Sequence, residues 1–276
     1  MLTLKLLLVP AFLAALTVAG RIWGPSVAGW LAGLPVVAGP IVLLLALERG
    51  PSFAAQASAA SIAAIAASEV FNLAYAWTCR RFAWPLALAA GMAGWLGAAM
   101  LLVRLSGSLV GALAAACVAV GVSQSGLPRV KGPVPAARLG LADLVVRMLA
   151  GALLTVAVTT LSASMGAKWS GVLSVFPLLA IVLAVSAQRA HGADFVALLT
   201  RGMVIGRGSF AAFFAVTAIL LPRYGVWSSF ACAALVSIAI QGATRRMLGA
   251  RRPAQAAAVS PELAGRQTES GRLADT

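Results

Sequence analysis

Charged side chains are scarce in this sequence. Only 10% of its 276 residues are Asp, Glu, Lys or Arg, and only seven are acidic, whereas 61% are hydrophobic. A soluble domain normally carries about a quarter charged residues, because polar side chains must cover its surface. The composition therefore excludes an ordinary soluble domain and indicates a chain that lies in lipid, which is as apolar as its own side chains.

The residue types that usually carry catalysis or bind metals are also few. One histidine, His191, and Asp194 near it are too few ligands for a metal site. Cys79, Cys117 and Cys232 lack the C-x-x-C spacing of zinc sites and redox pairs. The sequence contains no P-loop motif, which argues against an ATP-driven pump. We therefore expect no metal, no cofactor and no enzymatic activity.

Long apolar runs occupy most of the chain. A helix that crosses a bilayer needs roughly 20 mostly apolar residues. Runs of about this length lie near 2–20, 26–47, 54–77, 84–103, 107–124, 142–162, 169–189, 195–221 and 226–244. They predict an all-α, polytopic bundle of about nine transmembrane helices, with the lipid bilayer as its main partner. Composition turns polar near Ala250, which predicts a disordered tail.

The chain aligns with itself, without gaps, at an offset of 142 residues. Its landmarks are Pro35 with Pro177, Gly50 with Gly192, Phe53 with Phe195, Phe71 with Phe213, and Arg81 with Arg223. The alignment predicts four-helix repeats at 1–106 and 142–247, a linking helix and cytoplasmic loop at 107–141, and a tail at 248–276. An odd number of crossings separates the starts of the repeats, so they would be inverted. Inverted repeats are common in secondary transporters.

Basic residues outnumber acidic ones and give a formal net charge of +14. With the N-terminus outside, the cytoplasmic side holds Arg21, Arg80, Arg81, Arg129, Lys131, Arg138, Arg189, Arg245, Arg246, Arg251 and Arg252, and the outer side holds Lys5, Arg49, Arg104, Lys168 and Arg223. The positive-inside rule therefore predicts that the N-terminus lies outside and the C-terminus in the cytoplasm. We expect the membrane to be the bacterial inner membrane. Because the basic residues are spread among loops, we expect no nucleic-acid binding.

Two ionisable residues are predicted at mid-membrane depth, Glu69 in the third helix and Arg207 in the eighth. Such residues are costly in hydrocarbon unless paired or hydrated, and they often mark functional sites. They form either a structural ion pair or a site for substrate and proton coupling. Glu69 shares a polar stripe with Ser58, Ser61, Ser68, Asn72 and Tyr75, which predicts either interhelical hydrogen bonds or a water-filled cavity.

Prolines interrupt the second predicted helix, at Pro35 and Pro40, and its repeat counterpart, at Pro177. Proline removes a helical hydrogen bond and clashes with the preceding turn. Matching breaks in two repeats indicate a transporter's binding site, although proline kinks also occur in membrane helices that bind nothing. We place these helix breaks near the candidate site.

Taken together, these patterns favour a small secondary transporter that works by alternating access, and Arg207 favours an anionic solute. The length and duplicated-helix plan resemble small bacterial secondary transporters of the drug/metabolite kind, in architecture alone. One alternative is a non-transporting subunit or scaffold of a membrane complex, and a less favoured one is an intramembrane enzyme acting on lipid. Glycine-rich helix faces permit a homo-oligomer without requiring one.

Overall fold

The computed structural model describes residues 2–105, 108–130, 141–164 and 166–249, and this part of the chain contains helices and no strand. Its eleven helices are α1 (Leu2–Trp23), α2 (Pro25–Ala32), α3 (Ala38–Arg49), α4 (Pro51–Thr78), α5 (Trp84–Leu105), α6 (Leu109–Gly126), α7 (Leu141–Ser164), α8 (Ala167–Ser174), α9 (Leu178–His191), α10 (Ala193–Tyr224) and α11 (Val226–Gly249). The predicted disordered tail, from Ala250 onward, and the loop that holds Lys131 and Arg138 lie outside the described residues.

The protein is a multi-pass membrane protein. Six segments of the described chain are long and apolar enough to cross a bilayer: Pro51–Thr78, Trp84–Arg104, Leu109–Gly126, Ala167–His191, Ala193–Tyr224 and Val226–Arg245. Large apolar side chains cover the outside, among them Val118 at 66% exposed and Leu153 at 73%. Such a surface is stable only in lipid or a comparable apolar environment.

The other three predicted spans, 2–20, 26–47 and 142–162, coincide with shorter apolar elements. The described apolar stretches within α1 and α7 are Val9–Trp23 and Leu144–Val158. The second predicted span consists of two short helices, α2 with 8 residues and α3 with 12. The count of nine crossings therefore stays a prediction.

Two of the predicted spans are each broken in the middle, and proline explains both breaks. At 33–37 the amides of Gly33 and Leu34 donate hydrogen bonds to the carbonyl oxygens three residues earlier, as in a 3-10 turn. The next helix, α3, begins only after Pro35. In the second break, Val175 and Phe176 make the same three-residue bonds, and Pro177 is the residue that precedes α9. Because proline has no N–H group, the helix cannot continue through it without losing a bond.

The centre of the bundle is formed by α4, α10 and the α8–α9 pair. In their apolar windows 72%, 56% and 72% of the residues are buried, compared with 17–22% for α5, α6 and α11. α4 contacts α10 directly, and it also packs against α5, α6 and α8. The peripheral helices therefore face lipid, whereas polar residues on α4 and α10 face protein.

Glycines bring the short helices into backbone contact with the long ones. A Cβ atom on Gly29 of α2 would lie 1.9 Å from the carbonyl oxygen of Leu199 in α10. A Cβ atom on Gly171 of α8 would lie 2.1 Å from the carbonyl oxygen of Ala57 in α4. Close approach of this kind is typical of membrane helices packed through small residues. It fixes α2 against α10 and α8 against α4.

Candidate functional site

Glu69 and Arg207 form an ion pair at the contact between α4 and α10. The Nε atom of Arg207 donates to Oε1 of Glu69 at 2.7 Å. The two side chains are only 1% and 9% exposed, respectively. Asn72, one turn further along α4, donates from Nδ2 to Oε2 of Glu69 at 3.3 Å. The structure thus brings together three of the residues singled out in the sequence.

The position of each partner in its helix explains why the pair is buried. Glu69 lies well inside the 28-residue α4, and Arg207 lies near the middle of the 32-residue α10. Gly206 precedes Arg207 and touches the backbone of α2 near Trp30 and Gly33. This close packing leaves the guanidinium at the point where α2 ends and α4 passes α10.

A small cavity of about 50 Å³ lies beside Arg207. Both helix breaks contribute to its lining, the first through Leu34 and Val37 and the second through Phe176 and Pro177. The predicted break at Pro177 therefore lies at the cavity, whereas Pro35 lies in the first break without lining the cavity. Pro40 lies in the first turn of α3, so the helix is not interrupted there. Two interruptions that are distant in sequence thus meet beside one buried cation.

Ser68 ties α4 to the second break. Its Oγ atom donates to the carbonyl oxygen of Val175 at 3.0 Å, and both residues line the cavity. The carbonyl would otherwise lack a helical partner because α8 ends there. Ser68 therefore both positions the break and presents its oxygen near the cavity.

Tyr75 lies on the same face of α4 but away from the cavity. Its hydroxyl donates to Oε1 of Gln188 in α9 at 2.8 Å. Gln188 in turn donates from Nε2 to the carbonyl oxygen of Phe82 at 2.9 Å, in the connection between α4 and α5. Tyr75 thus belongs to a contact that holds one end of α9 against α4.

The rest of the polar stripe on α4 makes interhelical hydrogen bonds. Ser58 accepts from Thr217 of α10 at 3.1 Å. Ser61 lies 2.9 Å from the hydroxyl of Ser174 in α8 and donates to the carbonyl oxygen of Gly171. The stripe predicted from spacing therefore serves protein contacts at 58 and 61 and borders the cavity at Ser68.

Arg201 of α10 has a structural role that the sequence analysis did not identify. In the structure its guanidinium donates to the carbonyl oxygens of Gln124, Leu127 and Pro128, where α6 ends. Cations are favoured at helix C-termini, where carbonyls lack partners. No local pattern in the sequence identified the end of α6 as its neighbour.

Gln241 was also missed. It accepts from Ser209 of α10 at 2.5 Å and donates to the carbonyl oxygen of Trp30 in α2 at 2.6 Å. The contact joins α11, α10 and the end of α2 close to the first break. An uncharged amide inside an apolar run was the signal that could have identified it, because such groups rarely face lipid.

Among the described residues, no group of three or more His, Cys, Asp or Glu side chains is arranged to hold a metal ion. Comparison with known proteins gives no relative: no family model matches the chain, and neither a curated protein nor a solved structure matches it.

Proposed function

We propose that this protein is a small secondary transporter of a small solute, working by alternating access between two inverted repeats. The observation that carries the proposal is the cavity where two helix breaks meet beside the buried Glu69–Arg207 pair. Secondary transporters place their substrate site near the membrane centre and form it from discontinuous helices. The two breaks supply the discontinuous helices, and the position of the ion pair inside two long apolar helices supports a site near the membrane centre.

The helix bounds support the repeat. Shifted by 142 residues, α2 (Pro25–Ala32) becomes 167–174, which are the bounds of α8. The C-terminal end of α3 and the start of α4 fall in the same way on the C-terminal end of α9 and the start of α10. Gly50 and its counterpart Gly192, with φ of 91° and 83°, form matching turns between these helices. Bounds that coincide at this offset are the expected result of a duplication.

The contacts between helices support a two-fold relation. Gly29 touches Leu199, and Gly171 touches Ala57, each through a backbone carbonyl. Adding 142 to Gly29 gives Gly171, and subtracting 142 from Leu199 gives Ala57. The contact between the short helix of one proposed repeat and the long helix of the other therefore occurs twice, with the two repeats exchanged. With α2–α3 and α8–α9 each counted as one crossing, the chain would cross nine times, with the N-terminus outside and the C-terminus in the cytoplasm.

Access to the cavity from both sides of the membrane is the test of alternating access. Ala38 and Ala180 both line the cavity at the starts of α3 and α9. Replacing either by Cys, in a background without native cysteines, leaves the ion pair intact. We expect a membrane-impermeant thiol reagent to label both positions, each from either side.

Ala233 of α11 provides the matched control, because it is fully buried and does not line the cavity. A cysteine there should remain unlabelled. Labelling of Ala38→Cys and Ala180→Cys from neither side would contradict the transporter proposal. It would favour the non-transporting subunit, which stoichiometric co-purification of a partner would then establish.

Glu69 is proposed as counter-ion or proton carrier for the transported solute. Its carboxylate is the acidic group that contacts Arg207. Neutralising it with Glu69→Gln should abolish the dependence of uptake on a pH gradient in proteoliposomes. Uptake that keeps its full pH-gradient dependence in this variant would refute the coupling role while leaving the transport proposal in place.

A further inference from the structure

Arg207 presents hydrogen-bond donors that the described protein does not use. A guanidinium carries five N–H groups. The one on Nε donates to Glu69, and within the described residues the two terminal nitrogens donate no hydrogen bond. Arg207 is nevertheless 92% buried, since only 8% of its surface is exposed, and it borders the cavity. These terminal nitrogens are not sealed off from the cavity, so a molecule that enters it can accept their hydrogen bonds.

The start of α9 supplies a second set of donors to the same cavity. Leu178 and Ile181 bond back to Phe176 and Pro177, at 2.6 Å and 2.8 Å. The described chain offers no such acceptor to the amides of Leu179 and Ala180, which are residues of the cavity lining. Free N–H groups at the start of a helix, together with its dipole, attract an anion. This 14-residue helix and Arg207 therefore favour the same kind of ligand.

The charge at the cavity limits that ligand to one negative charge. Arg207 is the single ionisable residue on the described lining, and it shares its one positive charge with Glu69, so the amides at the start of α9 supply part of the attraction for an anion. A dianion such as phosphate would need a second cation, which the lining does not provide. A carboxylate has one charge and two oxygens, and these match the paired donors of a guanidinium.

The size and polarity of the cavity limit the rest of the ligand. A cavity needs a volume of about 10–15 Å³ on the same measure to hold one water molecule, and this cavity, at about 50 Å³, has room for several non-hydrogen atoms. Beyond the donors, its lining includes Val37, Met203 and Phe210, which are apolar. A carboxylate with a short hydrocarbon substituent fits this combination.

We infer that the cavity between the two helix breaks binds a small aliphatic monocarboxylate, through the terminal nitrogens of Arg207 and the amides of Leu179 and Ala180. The inference names the solute of the proposed transporter and rests on that proposal for its physiological meaning. Binding itself is a property of the site and is measurable without transport.

The experiment is a binding titration of the purified full chain in phosphatidylcholine nanodiscs, which carry no lipid carboxylate. Butyrate is the probe, butyramide is the neutral molecule of the same shape, and inorganic phosphate, titrated at an alkaline pH at which it is a dianion, is the doubly charged molecule. A ligand that binds the folded protein raises its thermal unfolding midpoint with concentration. We expect butyrate to raise the midpoint, whereas butyramide and phosphate leave it unchanged.

Three variants locate the site. Arg207→Met removes the guanidinium and should weaken butyrate binding by about 10- to 100-fold, the usual effect of losing hydrogen bonds to a charged group. Ala180→Leu fills the cavity and leaves the ion pair intact, so it tests the site even if Arg207→Met folds poorly. Arg223→Gln removes an exposed positive charge from the same helix and should bind butyrate like the unaltered protein.

The outcomes separate the site from the transport function. Equal effects of butyrate and butyramide, or butyrate binding that survives Ala180→Leu at full strength, would overturn the inferred site. Binding that requires Arg207 but is accompanied by no butyrate uptake into proteoliposomes would support the site and overturn transport of this solute. Uptake of another solute without butyrate binding would support transport and overturn the site.

Discussion

Removing one partner of the Glu69–Arg207 pair should destabilise the protein far more than removing both. In Arg207→Met the carboxylate of Glu69 stays 1% exposed and keeps only the amide of Asn72, at 3.3 Å. Leaving one buried charge without its partner typically costs about 3–5 kcal/mol, whereas replacing both charges by neutral groups is often close to neutral. We therefore expect Arg207→Met to lower the free energy of unfolding by about 3–5 kcal/mol.

Glu69→Gln should lower the free energy of unfolding less than Arg207→Met does. The Gln amide oxygen can still accept a hydrogen bond from Nε of Arg207, and the guanidinium still borders the cavity. The double variant Glu69→Gln/Arg207→Met should recover at least about 2 kcal/mol relative to the sum of the two single changes, within the range of coupling between contacting residues. The assay is reversible unfolding in mixtures of mild detergent and sodium dodecyl sulfate, followed by tryptophan fluorescence.

Arg223→Gln is the matched control for loss of a positive charge, because Arg223 is exposed. Additive effects of the two single changes would refute the reasoning, since they would mean that Glu69 and Arg207 do not stabilise each other. A cost of less than about 1 kcal/mol for Arg207→Met would also refute it, because that size of effect is typical of an exposed pair.

Three further predictions concern the packing, and the same unfolding assay measures the change in stability for each. Gly29→Ala and Gly171→Ala should each lower the free energy of unfolding by about 1–3 kcal/mol or more, because the added methyl group meets a backbone carbonyl. Gly97→Ala, at a site with no atom within 4 Å, should be neutral or stabilising. An equal loss of stability in all three variants would contradict close packing. Arg201→Met should cost about 1–3 kcal/mol by leaving carbonyls at the end of α6 without a donor; an unchanged stability would show that water replaces it. Tyr75→Phe should cost about 1 kcal/mol and leave solute binding unchanged, because its hydroxyl bonds to α9 away from the cavity; a loss of binding at full stability would place Tyr75 in the site.

The elements were predictable where a local rule governs the chain. Pro35 and Pro177 predicted both breaks because the missing N–H of proline acts within its own turn. The third predicted helix, 54–77, lies within α4 at Pro51–Thr78, because its ends are marked by Gly-Pro and by two arginines. Helix ends are set by nearby residues, so the sequence carries them.

Partners across the bundle were harder to predict because spacing assigns a residue to a helix face and does not name its neighbour. Glu69 and Arg207 could be expected to meet, since two opposite charges at membrane depth lower each other's cost. Tyr75 shares the face of Glu69 but lies several residues along the helix, against α9 and away from the cavity. The contacts of Arg201 with the end of α6 join residues more than 70 positions apart, and no local pattern records them.

The glycine contacts predict which parts would move together in an alternating-access cycle. α2 is in backbone contact with α10, and α8 with α4, so each proposed rigid body combines helices from both proposed repeats. Glu69 belongs to the α4–α8 body and Arg207 to the α2–α10 body, and their ion pair joins the two. A carboxylate ligand on Arg207 would compete with Glu69 for the guanidinium and so weaken that connection. Solute binding and movement between the bodies would then be coupled through one side chain.

Two disulfides distinguish this arrangement from one in which each repeat moves as a unit. Ser58 and Thr217, 3.1 Å apart at their hydroxyls, lie in different bodies. Ser61 and Ser174, 2.9 Å apart, lie in the same body although they belong to different repeats. Oxidation of Ser58→Cys/Thr217→Cys should stop uptake, and reduction should restore it. Uptake by Ser61→Cys/Ser174→Cys should be the same oxidised and reduced, whereas a block by both disulfides would mean that the repeats themselves are the moving units.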